Sequence, residues 1–171
     1  MLYYACGLAK DVLPTARAPH SQQSLAAEAL LRALRQAKRL EAGPSSKSHS
    51  RAMSAAAIGG SGQVGVDVEL ACTQRNRAGL AQFLLGEDGL ADWPEIYRLW
   101  TLREAFFKAF GRFPDRQFLQ EAHKSWPLDA ACWGQGPMRA WHEQRIEPAS
   151  GAAFHLTLVW TGAEGAQEIT L

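Results

Sequence analysis

The chain has 171 residues, 47% hydrophobic and 20% charged, and its 18 basic residues nearly cancel its 17 acidic ones to leave a net charge of +1. This is the composition of an ordinary globular protein, long enough to bury a core without disulfides as one compact domain or as two small halves sharing a core. It excludes bulk electrostatic attraction to nucleic acid or membranes, and Cys6, Cys72 and Cys132, odd in number and without C-x-x-C spacing, support neither a disulfide framework nor a structural zinc site.

Met1-Leu2-Tyr3-Tyr4-Ala5-Cys6-Gly7-Leu8 is apolar but lacks a basic flank and meets Lys10 and Asp11 too early to span a bilayer. It reads as a first strand, not a signal, which with the reduced thiols points to the cytoplasm. A polar connection from Pro14 to Pro19 leads to a predicted helix over 21–39. There Leu25, Ala29, Leu30, Ala33 and Leu34 recur at helical spacing, Ser21 or Ser24 is the candidate cap, and Arg35 and Lys38 lie toward the end. Gly43 and Pro44 break the helix.

Two short apolar segments, 51–58 and 64–70, flank Gly59-Gly60-Ser61-Gly62-Gln63, and the combination predicts a β-hairpin. The glycines do not form a phosphate-cradling P-loop, because the Lys-Ser/Thr ending is missing and a strand follows. Helices are predicted over 76–85 and over 93–110, the latter opened by Pro94 and closed by Gly111, with a short helix over 117–123. Strands over 138–146, 154–160 and 166–171 complete an α+β protein with mainly antiparallel sheets.

Asp67 and Glu69 lie two apart on a predicted strand, so their side chains leave one face with attachment points about 6.5 Å apart. Close carboxylates repel unless a cation sits between them, and hard oxygens with room for water and phosphate suit Mg²⁺. The plainer reading is two solvated acids at an exposed sheet edge. On the long helix Trp100, Glu104 and Lys108 are spaced i, i+4, i+8, opposite an apolar side made of Leu99, Leu102, Phe106, Ala109 and Phe110. Glu104 and Lys108 alone would be read as a surface ion pair of about 0.3–0.5 kcal/mol. Ser48-His49-Ser50 falls in a predicted loop able to turn an imidazole and two hydroxyls toward an anion.

The order of these three features is informative. Ser48-His49-Ser50, then Gly65-Val66-Asp67-Val68-Glu69, then Trp100-Thr101-Leu102-Arg103-Glu104-Ala105-Phe106-Phe107-Lys108 resembles the motif series of the 4′-phosphopantetheinyl transferases of the surfactin-synthetase-activating type. Ser24 to Arg32 is similar to that family's first-half helix, and 83–88 to the helix end before its second motif, so the resemblance covers residues 20–160. It implies a single domain made of a pseudo-twofold pair of small α+β halves, approximately 1–63 and 64–171, with coenzyme A between them.

By the same resemblance Asp67, Glu69 and Glu104 would hold Mg²⁺, while Ser48, His49, Arg103 and Lys108 would contact coenzyme A. Glu69, Glu104 and Lys108 would be the catalytic set, with either Glu104 or a water held by Glu69 taking the proton. The implied reaction moves 4′-phosphopantetheine to a serine of an apo acyl or peptidyl carrier protein and releases adenosine 3′,5′-bisphosphate. The implied protein is a monomer, since its two halves complete one cleft. Arg75, Arg77, Arg98 and Arg112 are candidates to face an acidic carrier, each more simply read as a solvated arginine. The chain departs from the family in three ways: only 47 residues precede Ser48, Gln23 stands where an arginine is usual, and Arg103 replaces a lysine. Two other readings stand beside the transferase: a degenerate, non-catalytic relative that binds carrier protein or coenzyme A, and an unrelated Mg²⁺ phosphohydrolase.

Overall fold

The computed structural model describes residues 1–8, 20–86 and 91–170, so the connection from Pro14 to Pro19, the last residue of the third predicted closing strand and part of the 83–88 segment lie outside the described residues. In chain order the elements are β1 (Leu2–Leu8), α1 (His20–Lys38), β2 (Ser45–Ser50), β3 (Met53–Gly59), β4 (Val64–Leu70), α2 (Arg77–Leu85), α3 (Trp93–Phe110), α4 (Arg116–Ser125), β5 (Cys132–Gln135), β6 (Met138–Ile146), β7 (Ala153–Thr161) and β8 (Ala166–Glu168). The fold is mixed α+β. One sheet has the order β2-β3-β1-β8 and the other β4-β7-β6-β5, with every pairing antiparallel except that of β1 with β8.

The two sheets share one connectivity. In the first, β1 is followed by a helix and then by β2 and β3, with β3 seated between β2 and β1. In the second, β4 is followed by three helices and then by β5, β6 and β7, with β7 seated between β6 and β4.

Alternation along β4 sets the layers. Val64, Val66 and Val68 turn inward and pack with Leu2, Tyr4, Met53, Ala55 and Ala57 of the first sheet and with Phe154, Leu156, Leu158 and Trp160 of β7. On the far side of the first sheet, Leu30, Leu31 and Leu34 of α1 cover Ala5, Ala56 and Ile58. On the far side of the second, α2, α3 and α4 pack on Met138, Ala140 and Val159. The layers therefore run helix, sheet, sheet, helices.

Most elements follow their sequence signals. Asp92 caps α3 by accepting from the Glu95 N–H at 3.2 Å, and Gly111 ends it at φ 70°, its N–H donating to the Phe107 carbonyl at 2.8 Å. Three expectations are corrected. First, 51–58 and 64–70 do not form a hairpin: β3 is the central partner of β2 and β1, so both its edges are taken, and the glycine segment carries the chain to the other sheet. The hairpin is β2–β3, turning at Arg51 with φ 49°. Second, Ser48-His49-Ser50 is strand, not loop. Third, α1 buries Ala26, Ala27, Leu30, Leu31 and Leu34 while Leu25 is 56% exposed, and both candidate cap serines lie inside the helix. Its apolar residues wrap too much of the circumference for spacing alone to choose the buried side.

Candidate active site

Gly65 explains how a helix reaches the carboxylate strand. A Cβ at that position would stand 1.9 Å from the Ala105 carbonyl oxygen and 2.9 Å from the Ala109 backbone nitrogen. Only a residue without a side chain lets α3 lie directly against β4. That approach puts the helical residues Trp100, Glu104 and Lys108 beside Asp67 and Glu69, which share the outward face of β4 with Gly65.

The edge of the first sheet supplies the third side. Ser46, Ser48 and Ser50 alternate along β2, and their hydroxyls accept the backbone N–H groups of Val66, Val68 and Leu70 at 3.0, 3.3 and 3.0 Å. Ser48 Oγ also donates to Asp67 Oδ1 at 2.8 Å, and Ser50 Oγ donates to Glu69 Oε2 at 3.1 Å. Lys108 Nζ donates to Ser48 Oγ at 2.8 Å and to Asp67 Oδ1 at 2.7 Å.

An open cavity of about 400 Å³ results, lined by Ser48, His49, Asp67, Glu69, Trp100, Glu104 and Lys108, with Ser24 of α1 and Lys47 of β2 at its side. Residues read from three separated motifs thus share one cavity. Arg103 is not among its lining residues. Its guanidinium lies 3.6 Å from the Phe113 ring centre and 5.0 Å from that of Phe83, and it donates to Glu104 Oε1 at 2.5 Å. Of the arginines considered for an acidic partner, Arg98 is only 2% exposed and donates to the Trp126 and Pro127 carbonyls and to Glu95, so it faces no partner. A side chain at a position outside the apolar stripe was expected in solvent; the turn at Trp126 covers it instead.

Neither plain reading of the acids survives in full. Asp67 is 5% exposed, not a solvated edge residue. Burial, the largest influence, pushes its carboxyl up to about 6 against the pull of Lys108 and Ser48, with Glu69 adding to the rise. The i, i+4 pair of Glu104 with Lys108 is replaced by Glu104 with Arg103 and Lys108 with Asp67. Glu69 lies 3.6 Å from Arg75 as well as bonding Ser50.

Two polar atoms of the cavity-lining residues are left over. Asp67 Oδ2 and Trp100 Nε1 are buried without a hydrogen-bond partner. An orphaned carboxylate oxygen in a cavity that also carries Glu69 and Glu104 fits a hard divalent cation. Among the described residues no three His, Cys, Asp or Glu side chains stand close enough to form a metal cage. Mg²⁺ asks for none, because it takes one or two carboxylates and completes its shell with water and phosphate oxygens.

The structural part of the serines was missed in the sequence. The signal was present as Ser46-x-Ser48-x-Ser50, a period-two pattern proper to a strand. No protein-family model matches the chain, and no curated protein sequence does. Fold and cavity define it as a mixed α+β protein with a carboxylate-and-lysine cavity between two sheets and a helix. Among the described residues no helix is long and apolar enough to cross a membrane.

Proposed function

We propose that the protein is a Mg²⁺-dependent 4′-phosphopantetheinyl transferase acting on an apo carrier protein in the cytoplasm. The observation that carries this reading is the convergence of Ser48, His49, Asp67, Glu69, Glu104 and Lys108, which come from three separate motifs, on one open cavity. The repeated connectivity of the two sheets supports the paired-halves fold that the motifs imply, and the cavity lies where β2 of one meets β4 of the other.

Magnesium, when bound, supplies neutralisation of the pyrophosphate charge of coenzyme A. The chain's own groups do the rest. Asp67 offers its unpartnered oxygen, with Glu69 and Glu104 across the same cavity. His49 and Lys108 line the same cavity and would offer cationic or donor groups to phosphate oxygens. The carrier serine oxygen bonds to the phosphorus that bears pantetheine, and the bond from that phosphorus to adenosine 3′,5′-bisphosphate breaks. Glu104, or a water held by Glu69, takes the serine proton.

The direct test is mass spectrometry of apo carrier proteins incubated with the protein, coenzyme A and Mg²⁺. The expected result is a carrier heavier by one phosphopantetheine; unchanged mass for every carrier in a broad panel would sink the reading. One observation favours a second reading, a non-catalytic relative: Lys108 and Arg103 already neutralise Asp67 and Glu104 within the chain. That relative would give calorimetric binding of coenzyme A or carrier with no mass change.

A further inference from the structure

We propose that Ser48 and Ser50 are positioning residues that aim Asp67 and Glu69, whereas Ser46, the third member of the same ladder, only joins the two sheets. The proposal rests on the transferase reading for the metal those carboxylates would hold.

The ladder joins two sheet edges that share no backbone pairing. β2 ends the first sheet and β4 ends the second, so the outward N–H groups of Val66, Val68 and Leu70 lack a strand partner. Serine hydroxyls satisfy them instead. The arrangement has a fixed offset: the serine at position n accepts from the N–H at n+20. Its hydroxyl hydrogen is then free to serve the side chain at n+19. For Ser48 that side chain is Asp67 and for Ser50 it is Glu69. For Ser46 it is Gly65, which has none.

The consequences for each carboxylate are specific. Ser48 accepts from Val68 and Lys108 and donates to Asp67 Oδ1, so its hydrogen-bonding capacity is used up. Oδ1 receives both Ser48 and Lys108, which leaves Oδ2 as the orphan. Ser50 holds one oxygen of Glu69 in the same way. A carboxylate tethered by one oxygen cannot spin about its terminal bond, so the other oxygen is presented in a fixed direction. Gly65 serves two purposes in this design: it admits α3, and it makes Ser46 a built-in control.

The test compares Ser46→Ala, Ser48→Ala and Ser50→Ala in the full chain by electron paramagnetic resonance of Mn²⁺, with and without coenzyme A, alongside thermal melts. All three variants should melt lower, because each removes a partner of a β4 N–H. Mn²⁺ affinity should fall on the order of tenfold in Ser48→Ala and Ser50→Ala and stay within about twofold in Ser46→Ala, with Ser48→Thr and Ser50→Thr recovering most of it. If Ser48→Ala does not fold, Ser48→Cys keeps the volume with a weak donor and gives the same comparison. Equal Mn²⁺ affinity across all three alanine variants would overturn the positioning role while leaving the metal reading intact. A wild-type protein that takes up no Mn²⁺ in either condition would overturn both.

Discussion

Asp67 holds its charge at a site that is 5% exposed and leaves one oxygen without a partner. With its carboxyl raised from 3.8 to about 6, the folded protein binds the proton more tightly than the unfolded chain does. Stability on this account is greatest below the unfolded value, falls as pH rises toward about 6, and stays reduced above it. The full cost is about 3 kcal/mol, at 1.4 kcal/mol for each tenfold change in proton affinity. Asp67→Asn should therefore melt above the wild type at pH 8 in the presence of chelator, with the advantage shrinking by pH 4, and under the proposed function it should also lose phosphopantetheine transfer. A variant that melts below the wild type at pH 8 would show that the pair with Lys108 outweighs the burial. The spacing of Asp67 and Glu69 was legible in the sequence because strand geometry is local; their burial was not, since it comes from a helix that starts 26 residues beyond Asp67 along the chain, at Trp93.

At the scale of elements, the contact between β4 and α3 is the one on which the cavity depends. Gly65→Ala would drive a methyl group into the Ala105 carbonyl oxygen, a backbone atom that cannot rotate aside. The helix must move, at a cost of roughly 1–3 kcal/mol or more, carrying Glu104 and Lys108 away from Asp67. Urea unfolding should report the stability loss and, under the proposed function, Mn²⁺ binding the broken site. Adding Ala105→Gly should rescue neither, because the obstruction is main chain; rescue would mean that the close approach is misassigned. Helix ends at Asp92 and Gly111 were readable because caps are local chemistry. The partner of β3 was not, because a strand's pattern says that it is buried and leaves open which edges cover it.

Across the whole molecule, the second sheet carries a polar seam under α3. His142 Nδ1 lies 2.9 Å from Thr157 Oγ1, His155 Nδ1 lies 3.3 Å from His142 Nε2, and Thr157 Oγ1 lies 2.6 Å from Thr101 Oγ1. The ring of His155 also stacks on Tyr97 with centres 5.0 Å apart. Burial pulls His142 down to about 3, with His155 and Arg98 adding to the fall, and pulls His155 down to about 4. Both rings are lowered below their ordinary 6.5, so their neutral packing is fully stabilising above that pH and is lost as pH falls, toward about 4 for His155 and about 3 for His142. Each ring contributes at most about 1.4 kcal/mol per pH unit, and Asp67 opposes the trend below about 6. His155→Phe, which keeps an aromatic ring against Tyr97, should lose less stability than the wild type between pH 7 and pH 5 in urea titrations. An unchanged difference between those two pH values would place the acid sensitivity elsewhere.

What the sequence determined by itself was the local part: most of the extended segments, though not β2 or β5, the shared face of Asp67 and Glu69, the limits of the long helix, and the identity of the acidic and basic groups. These follow from backbone periodicity and capping, which act over a few residues. The tertiary structure decided which strands became neighbours, that three serines close the gap between two sheet edges, that Arg103 turns to Phe113 while Lys108 turns to Asp67, and that Asp67 is buried with an oxygen to spare. Such outcomes depend on packing between segments distant along the chain, where a missing Cβ at Gly65 counts for more than any pattern around it.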